Sequence, residues 1–211
     1  MNTLQIVGRS SSHFTRMPLI FAHELSVAFE LVPIYDMTQI GAEMYADNPA
    51  LKLPILRRND STVFGAQNIC RVIAESSSRS TRIVWPEDLQ DDISRNAQEL
   101  VTHCMSTQVQ FAFGVAISKL PADNLYFIKA RAGMEGALAW LDSNLSNALE
   151  QLPPRDLSFF EVSLFCLVDH LRFRKTVELH PYSALERFTD EFAQRSSAQV
   201  TPYRFDVPPS T

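Results

Sequence analysis

The sequence predicts an α/β N-terminal domain, in the order β-α-β-α-β-β-α, followed by an all-α C-terminal domain. Three observations carry that prediction. Up to about residue 75, short apolar runs alternate with segments of helical spacing. Beyond residue 80, apolar residues recur at three- and four-residue intervals and no strand pattern emerges. Between the two, Ser76-Ser77-Ser78-Arg79-Ser80 breaks all periodicity and reads as a linker. The expected domains are therefore 1–77 and 85–211.

Residues 4–7 are a short apolar run closed by Gly8, a first strand, and Gly8-Arg9-Ser10-Ser11-Ser12 is a polar loop. A helix begins near His13. Pro18 lacks the N–H that an interior helical position uses, so Thr15 is the expected N-cap, which leaves Pro18 in the first turn. Residues 29–34 read as a second strand, with Pro33 marking an edge, and 36–46 as a weak helix. Pro54 fits only a strand start or an edge. From it a hairpin runs to Phe64 with its turn at Asn59-Asp60, residues that tolerate left-handed geometry. A further helix covers about 66–75.

The C-terminal half reads as helices over about 87–120, 122–149 and 182–194, with a central one after residue 157. Pro86 suits a helix first turn, and Pro121 stops the first of these helices. Leu138, Leu141, Leu145 and Leu149 form the buried stripe of the second. Ser158 and Glu161 have capping-box spacing, with Leu157 and Val162 placed for a hydrophobic staple. The residues that follow, Leu164, Phe165, Leu167, Val168 and Leu171, leave almost no polar face, so this helix is expected at the centre. Residues 208–211 read as a loose tail.

Composition narrows the functions. A net charge of −5 argues against a nucleic-acid backbone as partner. The longest apolar stretches fall short of the ~18 residues of a spanning helix. No basic segment followed by an apolar core opens the chain, so no secretory signal is expected. Cys70, Cys104 and Cys166 are too widely spaced for a Cys-x-x-Cys pair or a zinc site, and each reads as a small buried hydrophobe. A cytoplasmic location follows as the default. His103 and Cys104 are adjacent on one helix and do not converge, so no metal is expected. His13 has no neighbouring acid to orient it and reads as a half-exposed helix-start residue.

Asn48-Pro49-x-x-Lys52-x-Pro54-x-Leu56, with Gln67-Asn68 some ten residues on, resembles the signature of the glutathione S-transferase superfamily. Ser12-His13-Phe14-Thr15-Arg16 is similar to the Ser-x-Phe-Ser-Arg segment of its serine-type, cytosolic, bacterial-like members. The capped helix at Ser158 and the His180-Pro181 pair also resemble C-terminal features of the family. Asn68 departs from the family's serine, and Glu161 from its aspartate. The resemblance spans essentially the whole chain. It implies a thioredoxin-like first domain, a cis peptide bond at Leu53–Pro54, glutathione as co-substrate, a small electrophile as the second substrate and a symmetric homodimer.

It also assigns residues. Ser12 would hydrogen-bond the glutathione sulfur, with Ser11 and Ser10 as alternates because one residue of register stays open. Chemically, a thiol near pKa ~8.5 is mostly protonated at neutral pH. A hydroxyl donor and a helix N-terminus favour the anion. The other reading of the three serines is a polar loop or helix cap. The Leu53 backbone, beside Pro54, would pair with the cysteinyl part of the peptide. Gln67 and Asn68 would hold its γ-glutamyl end, as side-chain amides and backbone N–H groups at a helix start can. Lys52 would lie near the glycyl carboxylate. The plainer readings are a strand-start proline, a helix cap and a solvated lysine. The implied activity is attack of the glutathione thiolate on an electrophilic carbon. A glutathione-dependent isomerase or disulfide reductase, or a non-catalytic interaction module, are the alternatives.

Overall fold

The computed structural model describes residues 4–58 and 61–208, so the expected hairpin turn at Asn59-Asp60 and the last three residues lie outside it. The chain divides into two units, Met1–Thr81 with Ala193–Thr211, and Arg82–Phe192.

The first unit is built on a four-stranded sheet of order β2-β1-β3-β4. β1 (Leu4–Gly8) lies parallel to β2 (Phe29–Pro33) and antiparallel to β3 (Ile55–Arg58), which pairs antiparallel with β4 (Ser61–Phe64). β2 is an edge strand, which accommodates Pro33. Successive side chains point to opposite faces. Val7 and its partner Ile55 join Ile34, Tyr45 and Ala46 in one apolar cluster. Ile6 and Leu56, both fully buried, look to the other face, where α1 (His13–Glu24) and α2 (Ala66–Ser76) pack together.

Two expectations change here. The N-cap of α1 is Ser12, not Thr15: the Ser12 hydroxyl accepts the Thr15 N–H at 3.2 Å, so Pro18 sits inside the helix rather than in its first turn. The weak helix over 36–46 shrinks to a 3-10 turn, Ala42–Tyr45. Ahead of it the Asp36 carboxylate accepts the Thr38 N–H, the Thr38 hydroxyl and the Gln39 amide, a local turn that competes with helix. These bonds, led by the Thr38 hydroxyl, hold the Asp36 carboxyl below its ordinary value. The Leu53–Pro54 peptide bond is cis.

Residues from Ala193 onward group with this unit. α7 (Ser196–Gln199) packs on α1, and an irregular tail follows it.

The second unit is helical apart from a two-residue parallel pair, β5 (Ile83–Val84) with β6 (Leu157–Ser158), too short to leave a periodic trace in sequence. The helix expected over 87–120 is broken. A 3-10 turn at Pro86–Asp88 precedes α3 (Asp92–Gln110), because the Asp91 carboxylate accepts the Ser94 N–H at 2.8 Å and caps a new start. A π-helical segment, Phe111–Ile117, continues α3. The run Asp92–Ile117 is 26 residues long and, contrary to the expectation from apolar stretches, is long and apolar enough by length and composition to cross a membrane. In this unit α3 packs on α4 (Leu125–Glu150) and α5 (Phe159–Arg174), burying Ala97, Val101, Cys104 and Met105. Burial pushes the Cys104 thiol up to about 12.

The stripe expected on α4 is buried at Leu138, Leu141 and Leu145, with Leu149 half-buried. α5 is buried along almost its whole length, as its composition requires. α6 (Ser183–Phe192) is shorter than the expected 182–194, and the Asp142 carboxylate of α4 accepts the N–H groups of Ala184 and Leu185 at its start.

Only half of the capping box forms at α5. Ser158 Oγ accepts the Glu161 N–H at 3.3 Å, but the Glu161 carboxylate turns to Arg155, at 2.6 and 2.9 Å. Ser158→Ala is expected to lower stability by about 1 kcal/mol. Urea denaturation of the variant and parent measures this; equal midpoints would show that the cap contributes nothing.

Candidate functional site

The sheet register brings three segments to one end of the first unit. β1 ends where β3 begins, with Val7 opposite Ile55, and β4 ends opposite the same residue, with Phe64 paired to Ile55. The loop after β1, the Leu53–Pro54 entry to β3 and the start of α2 after β4 therefore emerge together. These segments carry Ser10 to Ser12, Lys52 to Pro54, and Gln67 and Asn68.

The loop after β1 is a tight turn, with the Ser12 N–H donating to Arg9 C=O at 3.1 Å. The Arg9 N–H donates to Thr15 Oγ1 at 3.3 Å. Gly8 lets Thr15 approach this closely: a Cβ at residue 8 would stand 2.5 Å from Thr15 Cγ2. The three serines then differ sharply. The Ser10 hydroxyl donates to Asp206 Oδ1 at 2.6 Å, and the Ser10 N–H donates to Asp206 Oδ2 at 2.8 Å. Ser11 is buried, at 3% exposure. Ser12 is half-buried, and its oxygen accepts the Thr15 N–H, which leaves the hydroxyl proton to donate outward. It stands at the positive end of the α1 dipole. His13, expected half-exposed, is buried at 2% and packs its ring on Phe14, centroids 4.7 Å apart.

Asn48 organises the segment before β3. Its amide nitrogen donates to Lys52 C=O at 2.8 Å, and its Oδ1 accepts the Ala50 N–H at 3.0 Å. Leu51 can then hold a left-handed φ of 52° within the turn. The Lys52 side chain is exposed and Pro54 is buried. Leu53 packs its side chain on the Val7–Ile55 cluster, and among the described residues no hydrogen bond engages its N–H or C=O. A peptide lying along this edge finds one donor and one acceptor there, as an added strand would.

Gly65 is the N-cap of α2, at φ +86°, a backbone state that L side chains adopt only with strain. It gives no side-chain cap, and the first helical bond runs from the Ile69 N–H to Gly65 C=O at 3.1 Å. The N–H groups of Ala66, Gln67 and Asn68 therefore lie ahead of the helical ladder and point toward any anion at the helix start. Gln67 is half-buried, and among the described residues its amide has no partner. Asn68 is exposed and its amide nitrogen is committed to Phe64 C=O at 3.1 Å.

Two participants were not foreseen from sequence. Asp206 lies in a tail with no pattern to flag it. Arg16, seen only as part of a motif, is buried at 4% and reaches the C-terminal segment. Its Nη2 donates to Ala198 C=O at 3.1 Å, and its guanidinium lies 4.3 Å from the centre of the Tyr203 ring.

Residues 11–76 match the family model described as the N-terminal domain of glutathione S-transferase. No curated protein matches the chain. Among solved structures, a glutathione S-transferase from Methylobacillus flagellatus KT with glutathione bound is 17% identical, at a TM-score of 0.74 over 96% of this chain and 100% of that one. One from Methylobacterium radiotolerans JCM 2831, in complex with glutathione sulfonate, is 18% identical, at a TM-score of 0.74 over 100% of both chains. A glutathione transferase family member from Pseudomonas fluorescens Pf-5 with bound glutathione is 19% identical, at a TM-score of 0.72 over 96% of this chain and 100% of that one. Residues 11–76 are thus similar to a glutathione S-transferase N-terminal domain, and the chain as a whole shares the fold of these solved structures.

Proposed function

We propose that this protein binds glutathione on its thioredoxin-like part, 1–77, and catalyses attack of the thiolate on an electrophilic small molecule. The helical part, 85–211, is assigned the electrophile. The observation that carries the reading is the state of Ser12: a helix-capping hydroxyl whose oxygen is occupied by the Thr15 N–H while its proton remains available. Ser12 donates that proton to the glutathione sulfur and, with the α1 dipole, favours the thiolate. The Leu53 N–H and C=O pair with the cysteinyl unit beside Pro54. Gln67 and the first-turn N–H groups of α2 take the γ-glutamyl carboxylate. Asn68 contributes there through its backbone, because its amide nitrogen is held by Phe64. Lys52, exposed and cationic, faces the glycyl carboxylate. The resemblance assigns no metal to the reaction.

That commitment of Asn68 favours one rival, a non-catalytic interaction module with a weakened grip on glutathione. Retention on immobilised glutathione, with elution by free glutathione, separates the two. Flow-through of the folded parent would sink the enzyme reading and leave the module. A glutathione-dependent isomerase or disulfide reductase is distinguished by whether glutathione is consumed, regenerated or oxidised. The active form is proposed to be a cytoplasmic homodimer; sedimentation showing only a 23.9 kDa species at micromolar concentration would refute the dimer.

A further inference from the structure

The C-terminal segment is fastened to the start of the chain at three places. Glu24 of α1 accepts two bonds from Arg195, at 2.8 and 2.9 Å, and one from the Ser197 hydroxyl at 2.5 Å. Burial pushes the Glu24 carboxyl up, but these hydrogen bonds and the charges of Arg195 and Arg79 outweigh it and hold the group below its ordinary value. Arg16 is held by Ala198, Thr201 and the Tyr203 ring. The last fastening is Asp206 on Ser10, across 196 positions of sequence.

This third contact differs from the others in what it holds. Ser10 lies inside the turn that leads into Ser12, and the turn is gripped from both sides. Thr15 accepts the Arg9 N–H on one side; Asp206 accepts both the N–H and the O–H of Ser10 on the other. Two charge-assisted bonds to one carboxylate fix the orientation of a group as well as its place. Ser10 is 8% exposed, so water is a poor substitute for the lost acceptor. A swing of this turn moves Ser12 Oγ relative to any sulfur it must reach, and a misplacement of about 1 Å costs on the order of 100-fold in rate.

We infer that Asp206 is a positioning residue: by holding both polar groups of Ser10, it sets where the Ser12 hydroxyl points. The inference rests on the proposed role of Ser12. The carboxylate's charge acts in the opposite direction, since an anion near a thiolate disfavours it. The two effects therefore differ in sign. Removing a brace raises the thiol pKa and slows turnover, whereas removing a charge alone lowers the pKa.

The test uses the full-length chain as parent, Asp206→Ala, Asp206→Asn, Ser10→Ala and Ser12→Ala. Two readouts are taken: the ultraviolet absorbance of bound glutathione thiolate against pH, and kcat and KM for glutathione with a generic electrophile. For Asp206→Ala, kcat is expected to fall roughly 10- to 100-fold with the thiol pKa raised and KM close to the parent's. Asp206→Asn keeps an acceptor for the Ser10 N–H and recovers most of the turnover. Ser10→Ala loses one of the two bonds, leaves the tail's other fastenings in place, and falls between. Parent-like values in Asp206→Ala, with both readouts moved in Ser12→Ala, overturn the inference and leave the role of Ser12 standing. A lowered thiol pKa in Asp206→Ala assigns the effect to charge and overturns it. Loss of kcat, KM and melting temperature together, without rescue by asparagine, shows a merely structural contact and overturns it. A Ser12→Ala variant identical to the parent removes the role of Ser12 and the inference with it.

Discussion

Ser12→Ala is expected to raise the pKa of bound glutathione by about 1–2 units, the equivalent of one hydrogen bond to a charged group at ~1.5–3 kcal/mol. Turnover at saturating glutathione near neutral pH should fall accordingly, while binding survives at Leu53, Gln67 and α2. The same variant removes the N-cap of α1, so it should also lose ~1 kcal/mol of stability. Ser12→Thr separates the two losses, because threonine both caps and donates. It should restore the melting temperature and most of the turnover. Gln67→Ala is the contrast: it weakens glutathione binding and raises KM with kcat nearly kept. The pH-rate profiles of parent and variants decide the matter. An unshifted profile in Ser12→Ala, with parent turnover, would reject the hydroxyl as the sulfur's partner.

The largest loss of stability is expected from Phe165→Ala. Phe165 lies on α5 at 1% exposure, its ring stacked on that of Phe192 of α6 with centroids 4.5 Å apart. Truncation removes an aromatic packing contact and leaves a cavity that a close-packed interior can fill only in part. The expected cost is about 3–5 kcal/mol. Phe165→Leu keeps most of the volume and should lose markedly less. Urea unfolding of the second unit reads the difference. A loss under about 1 kcal/mol for alanine would mean that the helices close over the site.

The fold was legible where residue patterns have long reach. The short apolar run at 4–7, the strand read over 29–34, the proline at 54 and the almost wholly apolar helix after 157 were legible, and the structure has a strand, a strand, a strand entry and a buried helix at those places. The Asn-Pro-x-x-Lys-x-Pro frame located the turn that Asn48 ties and the cis bond after Leu53. The misses come from short-range competition. Pro18 suggested that the α1 cap lay at Thr15, but the Ser12 hydroxyl accepts the Thr15 N–H and starts the helix nearly a turn earlier. Asp36 diverts its segment from helix by bonding Thr38 and Gln39. Asp91 interrupts a run that periodicity alone joins. At the site, three consecutive serines are equivalent in sequence. Their difference arises from the turn that buries Ser11 and from Asp206, which no local pattern connects to Ser10.

The return of the tail to the first loop has a consequence for the order in which the molecule is made. A chain leaves the ribosome at roughly 5–20 residues per second, and domains usually fold as they emerge. Here the sheet and its flanking helices can assemble once Thr81 is out, but Arg195, Ser197 and Asp206 come after the entire helical unit has been synthesised. Until those residues emerge, α1 lacks the cover that α7 gives it. A chain stalled short of residue 195 should accordingly lack the Glu24 and Asp206 fastenings, and if Asp206 positions Ser12 as proposed, that positioning comes only after the helical unit has been made.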